Sequence, residues 1–245
     1  MLKIENISAF YGKKQVLFDL NLTVERGRFT AILGANGSGK STLMSALTSG
    51  VAYSGKITLD GRDISEITPR ERAKIISFLP QNLPVTQFSV RETVTFGREP
   101  YISFKPTDSD DTIIDRAIEK CGISHLNGKK LTEISGGERQ MAYLAMILAQ
   151  DAEIMLLDEP TTYMDASRAR RFLDILKESV SEGKSVVAVM HDLTQAVKYA
   201  DDIILIDSGR VVFAGTRKDC VESGVIERVM GVEKHSLDDG TVVYI

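Results

Sequence analysis

Phe29-Thr-Ala-Ile-Leu33-Gly34-Ala-Asn-Gly-Ser-Gly39-Lys40-Ser41-Thr42 is the stretch from which the fold can be read. Its first five residues are apolar or nearly so and lack polar alternation, the pattern of a strand buried on both faces. The next eight, Gly34–Ser41, fit G-x-x-x-x-G-K-[ST], a phosphate-binding loop. Ser41–Leu47 then reads as the helix that leaves it. Strand, glycine loop and helix in that order are the context the motif needs. The bare pattern would arise by chance in roughly one chain in a hundred of this size, and the context lowers that further. The glycines let backbone N–H groups wrap an anion, and the helix start adds its positive dipole end. Lys40 supplies a point charge for the β- and γ-phosphates, and Ser41 a hydroxyl for Mg²⁺. The candidate binding residues here are Gly34, Asn36, Gly37, Ser38, Gly39, Lys40, Ser41 and Thr42.

Outward from the loop, further apolar runs occur at Ile75–Leu79, Ile154–Leu157, Val186–Met190 and Ile203–Ile206. Helical periodicity separates several of them. Phe172, Ile175, Leu176 and Ser179–Val180 repeat at helix spacing, with Asp165 as N-cap. Asp192 and Gln195 have the spacing of a capping box. Alternating strands and helices predict an α/β core with a mostly parallel sheet. Leu20, Leu22 and Val24 alternate with Asn21, Thr23 and Glu25, and Lys56–Leu59 runs into Asp60-Gly61. These predict a flanking antiparallel sheet. From 83 to 150 the alternation stops and Asp110–Cys121 and Gly137–Gln150 read as helices, so a helical insert is expected there. The expected organisation is one domain over 1–245, with an α/β core at 1–82 and 151–245 and a helical subdomain at 83–150. A hairpin is expected around Asp239-Gly240.

Composition limits the function classes. The chain has 245 residues, 34 acidic and 30 basic, for a net charge of −4, and 43% of it is apolar. Disordered, collagen-like and disulfide-dense classes are excluded. The longest near-apolar run, Met141–Ala149, falls short of the ~20 residues that span a bilayer. Met1–Ser8 lacks the pattern of a signal peptide, which points away from secretion. Cys121 and Cys220 match no metal or redox spacing and are expected to be reduced, with Cys121, at a helix end, a packing residue. A mildly acidic chain argues against nucleic-acid binding. His125 and His235 read as ordinary surface or core residues, and Arg168, Arg170 and Arg171 as a solvated helix face.

Two further strings carry chemistry. Ile154-Met-Leu-Leu-Asp158-Glu159 is a buried strand ending in two carboxylates, which fits Asp158 near Mg²⁺ and Glu159 near an attacking water. Ser135-Gly136-Gly137-Glu138 is a capping box at the start of an apolar helix. Two glycines in a first turn cost up to about 1 kcal/mol each against alanine, a choice expected where a ligand approaches backbone. A capped, exposed helix start is also an anion site. The Asn-Lys-x-Asp string that reads guanine does not occur, which favours adenine.

With these motifs in order, the chain resembles an ATP-binding-cassette (ABC) ATPase, the nucleotide-binding subunit of a transporter. Gln81 in Leu79-Pro80-Gln81 resembles the family's Q-loop. Ile134-Ser135-Gly136-Gly137-Glu138 resembles its signature, with isoleucine where leucine is usual. Asp158-Glu159 resembles the Walker B end, Thr161–Asp165 the D-loop, and His191 the switch histidine. Tyr11 stands where the family stacks an aromatic on adenine. The resemblance implies ATP and Mg²⁺ as cofactors, with Ser41, Gln81 and Asp158 on the metal. It implies that two copies pair head to tail when ATP is bound, the loop of one facing Ser135, Gly136 and Gly137 of the other, with Asp165 at the same site. Lys40, Glu159, His191 and Gln81 would be the catalytic set. Ala145–Gln150, Glu159–Asp165 and Gly97–Tyr101 resemble the importers of iron chelates, haem and cobalamin. That branch implies a separate permease, an extracytoplasmic solute-binding protein, and a place on the cytoplasmic face of the membrane. The alternatives are an ABC ATPase for another cargo, a non-transport ABC ATPase acting on translation or DNA repair, and a non-enzymatic nucleotide-binding module. The presence of both Glu159 and His191 argues against the last.

Overall fold

A computed structural model describes residues 1–162, 164–237 and 241–245. The chain forms two compact units, Met1–Ile67 with Ser185–Ile245, and Thr68–Lys184.

The first unit holds an antiparallel sheet and a mostly parallel set of strands. Leu2–Tyr11 pairs antiparallel with Lys14–Val24 on one side and Ala52–Leu59 on the other. Leu20, Leu22 and Val24 are buried while Asn21, Thr23 and Glu25 are exposed, so the alternation read from the sequence sets the two faces. Asp60 and Gly61 both have positive φ, 49° and 83°, as a two-residue primed turn requires, and Arg62–Asp63 returns along Ala52–Leu59. The Asp60 carboxyl is held well below its usual range by Arg26 and by the chain's amino terminus.

Phe29–Leu33 lies between Ser185–Val189 and Asp202–Asp207, parallel to both. Arg210–Thr216 adds an antiparallel edge. Phe29–Leu33 and Ser185–Val189 are buried along their whole length, as expected for strands covered on both faces. Helix Lys40–Leu47 leaves the glycine loop, and helices Leu193–Tyr199, Arg217–Glu222 and Val225–Met230 follow later strands. At the C-terminus Lys234–Ser236 pairs antiparallel with Val242–Tyr244. The Asp239-Gly240 turn expected between them lies outside the described residues.

The second unit pairs Ile76–Leu79 parallel with Ile154–Asp158 and is otherwise helical: Pro69–Ile75, Val90–Thr95, Asp108–Lys120, Gly136–Gln150 and Ala166–Ser181. Helix Gly136–Gln150 packs against helices Val90–Thr95, Asp108–Lys120 and Ala166–Ser181 and against strand Ile76–Leu79. Its burial on most faces fits its apolar composition. A buried ion pair braces this bundle. Arg98 Nε donates to Asp110 Oδ1 at 2.9 Å and Arg98 Nη1 to the Ala149 carbonyl at 2.8 Å. Cys121 and Cys220, one in each unit, are buried and unpaired, and burial pushes both thiols up to about 12.

Some expected boundaries move. Ile75 ends a helix rather than starting a strand, because Thr68 and Glu71 form a capping box with Pro69 in the first turn. The helix expected at Asp110 begins at Asp108, where Thr107 and Asp110 make the reciprocal cap. At Asp192 only half of the expected box forms. Asp192 accepts from the Gln195 N–H at 2.9 Å, while Gln195 Oε1 is buried without a hydrogen-bond partner among the described residues.

Candidate functional site

The first unit carries the phosphate loop. Gly34 ends the strand with φ +151°, and a Cβ there would stand 2.2 Å from the Ile206 carbonyl oxygen, so only glycine fits. The far end of the loop is pinned by the Gly209 N–H, which donates to the Ser38 carbonyl at 2.9 Å. Helix Lys40–Leu47 starts from Gly39 with no side-chain cap and no acidic residue in its first turn. Its orphan N–H groups and positive end are thus left for a ligand. Lys40 is 5% exposed, and its ammonium donates to the Gly34 and Ala35 carbonyls at 2.9 and 3.0 Å. Ser38 Oγ is buried with no hydrogen-bond partner among the described residues. Buried polar atoms are normally satisfied, so an orphan inside an anion-binding loop is the mark of a missing ligand. Asn36, Gly37 and Ser41 are exposed, while Thr42 is buried.

The same unit holds Tyr11 and His191. Tyr11 ends strand Leu2–Tyr11 and is 53% exposed. His191 is exposed just beyond strand Ser185–Val189, and the neighbouring Met190 N–H donates to the Ile32 carbonyl at 3.1 Å. That bond holds the residue before His191 against the strand that feeds the loop.

The second unit carries the acidic strand end and the glycine-capped helix. Asp158 closes strand Ile154–Asp158 and is buried. Glu159 follows in the left-handed region, φ 50°, a strained conformation for a residue with a side chain. Gln81 Nε2 donates to Glu159 Oε2 at 2.5 Å, so the structure brings these two expected residues together. Thr162 Oγ1 donates to the Glu159 carbonyl at 3.1 Å. Two buried side chains of helix Gly136–Gln150 hold the flanks. Gln140 Nε2 donates to the Pro160 carbonyl, and Tyr143 Oη to the Pro84 carbonyl, both at 2.7 Å. Sequence reading missed both, although an amide and a phenol beside the apolar residues of this helix were the available signal.

Ser135 caps that helix. Its Oγ and N–H both donate to the Glu138 carboxylate, at 2.7 and 2.8 Å. The Ser135 hydroxyl and N–H hold the Glu138 carboxyl below the usual range, so it is ionised at neutral pH. Ser135 and Gly136 are exposed and Gly137 is buried. Asp165 caps helix Ala166–Ser181 by accepting from the Arg168 N–H at 2.9 Å, and Tyr163 of the same loop lies outside the described residues.

Known proteins resemble the chain over most of its length. The family model described as ABC transporter matches residues 17–162. The chain is 38% identical to the ferric enterobactin transport ATP-binding protein FepC of Escherichia coli, over 97% of this chain and 90% of that one. It is 36% identical to a hemin import ATP-binding protein, HmuV, of Pseudomonas fluorescens, over 95% and 93%. Among solved structures it matches an inward-facing metal-chelate type ABC transporter with a TM-score of 0.83 and 25% identity, over 100% of this chain and 97% of that one.

Proposed function

Because the chain belongs to the ABC transporter family, we propose that it is the ATP-hydrolysing subunit of an importer and energises uptake of an iron-siderophore or haem cargo through a separate permease. One observation carries this reading. Similarity to ATP-binding proteins named for ferric enterobactin, petrobactin and hemin runs over 94–97% of the chain.

The residues support a division of labour. The loop Gly34–Thr42 takes the phosphates, with Lys40 and the orphaned Ser38 hydroxyl as side-chain donors, while Tyr11 stacks on the base. Ser41, Asp158 and the Gln81 amide are hard oxygen donors that fit Mg²⁺, an ion that keeps part of its shell as water and phosphate oxygen. Among the described residues no three His, Cys, Asp or Glu side chains could hold a metal by themselves. The ion, when bound, neutralises phosphate charge. Glu159, held by Gln81, polarises the attacking water, and His191 keeps that water and the γ-phosphate in line.

Ser135, Gly136 and Gly137 form a second anion site, aimed at the nucleotide of another copy, with Asp165 beside it. Two copies then enclose ATP head to tail. The helical subdomain 83–150, carried by the core 1–82 and 151–245, meets the permease on the cytoplasmic face of the membrane, and an extracytoplasmic solute-binding protein supplies the cargo. No helix among the described residues is long and apolar enough to cross a membrane.

Replacing the water-polarising carboxylate tests the reading. With the permease pair present, Glu159→Gln is expected to bind ATP as the parent does while turnover falls at least a hundredfold, the scale of a lost general base. Phosphate release measured beside equilibrium ATP binding decides it. Parental turnover in the variant would contradict the assignment.

A further inference from the structure

The start of helix Gly136–Gln150 is crowded with negative charge. Glu138 is ionised there, and Asp165 caps the next helix beside it. A helix N-terminus is worth about half an elementary charge. Alone, it leaves this turn net negative and a poor host for a polyphosphate. Arg168 lies between the two carboxylates. Its Nη2 is 4.0 Å from Glu138 Oε1 and its Nη1 3.7 Å from Asp165 Oδ2. The side chain lies across Gly137: a Cβ at that position would stand 3.0 Å from Arg168 Cδ and 3.2 Å from Nη1, whereas one at Gly136 would meet open space. The missing side chain of Gly137 therefore makes room for Arg168.

The guanidinium remains available. Its ion-pair distances exceed the 2.7–2.9 Å of a charge-assisted hydrogen bond, and its N–H groups make no side-chain hydrogen bond among the described residues. It is 45% exposed. A planar fork with free donors, balanced by nearby carboxylates, suits bidentate capture of phosphate oxygens.

We propose that Arg168 is a nucleotide-binding residue of the second anion site: its guanidinium completes the Ser135–Gly137 turn and meets the terminal phosphate presented by the loop of another copy. This rests on the head-to-tail reading above. The residue read from sequence as part of a solvated face thereby acquires a ligand.

The test uses the full chain carrying Glu159→Gln, with ATP-dependent pairing followed by analytical ultracentrifugation. Adding Arg168→Gln is expected to raise the ATP concentration for half-maximal pairing about tenfold, the loss of one charge-assisted contact. Arg168→Lys should recover most of it. Added salt should weaken pairing of the Arg168-containing chain more steeply than that of Arg168→Gln. ADP binding to the unpaired chain should stay within twofold in both variants, which shows that the loop is intact. Half-maximal pairing within twofold of the parent in Arg168→Gln, or a salt slope equal to the parent's, would overturn the proposal. If the Arg168-containing parent fails to pair with ATP at all, the head-to-tail reading itself falls.

Discussion

At the scale of single residues, the loop was legible because its requirements are stereochemical. Gly34 must take φ +151° against the Ile206 carbonyl, Lys40 must reach back to two loop carbonyls, and the spacing of G-x-x-x-x-G-K encodes both. Gly34→Ala is expected to cost about 3 kcal/mol, from a strained backbone and a 2.2 Å approach to main chain that no rotamer relieves. Equilibrium urea unfolding measures the loss, and nucleotide affinity should fall with it. A variant as stable as the parent would show that the strand and loop can separate cheaply. Glu159 was legible as a carboxylate at a strand end, but its left-handed backbone and its bond to Gln81 were not, since that contact spans 78 positions of sequence. Arg168 is exposed, as a solvated helix face requires, but its approach to Gly137 and Glu138 was not legible, since those residues come from a distant part of the chain.

Elements with strong periodicity were found, and those defined by caps or by distant partners were shifted or missed. Phe29–Leu33, Ile154–Asp158 and Ser185–Val189 are fully buried and read as apolar runs. Leu2–Tyr11 mixes Lys3, Glu5 and Asn6 into its pattern and carries register shifts, so its pairing with two neighbours could not be seen locally. In the helical unit, Arg98 and Asp110 are both under 10% exposed, a buried pair that their residue types and spacing do not announce in the sequence. Arg98→Met should cost about 3 kcal/mol, because Asp110 keeps its charge in a buried place and loses its cation. The Thr107 N–H and hydroxyl, then Arg98, hold the Asp110 carboxyl below the usual carboxylate range. A depressed folded value stabilises at pH above the unfolded carboxylate, near 3.9, and that stabilisation is lost as pH falls through the folded value. Denaturant midpoints measured from neutral pH down to about 3 should therefore fall on the acid side, and fall less steeply in Arg98→Met. Parallel acid limbs would detach the ion pair from that dependence.

At the scale of the whole molecule, the order of motifs along the chain was legible, and with it the family and the α/β class. Cargo was not, because no motif in the sequence encodes it, and that assignment rests on relatives named for iron chelates and haem. The central claim is that one chain holds two halves of a pocket that close only against a second copy. Complementation tests it most directly. On the Glu159→Gln chain, Lys40→Ala removes the loop's charge and Gly137→Asp blocks the glycine turn. ATP-dependent association of each, alone and mixed in equal amounts, is read by ultracentrifugation. Neither variant should associate alone, and the mixture should, because one intact pocket forms from the Gly137→Asp chain's loop and the Lys40→Ala chain's glycine turn. A mixture that stays monomeric while the parent pairs would contradict the shared pocket.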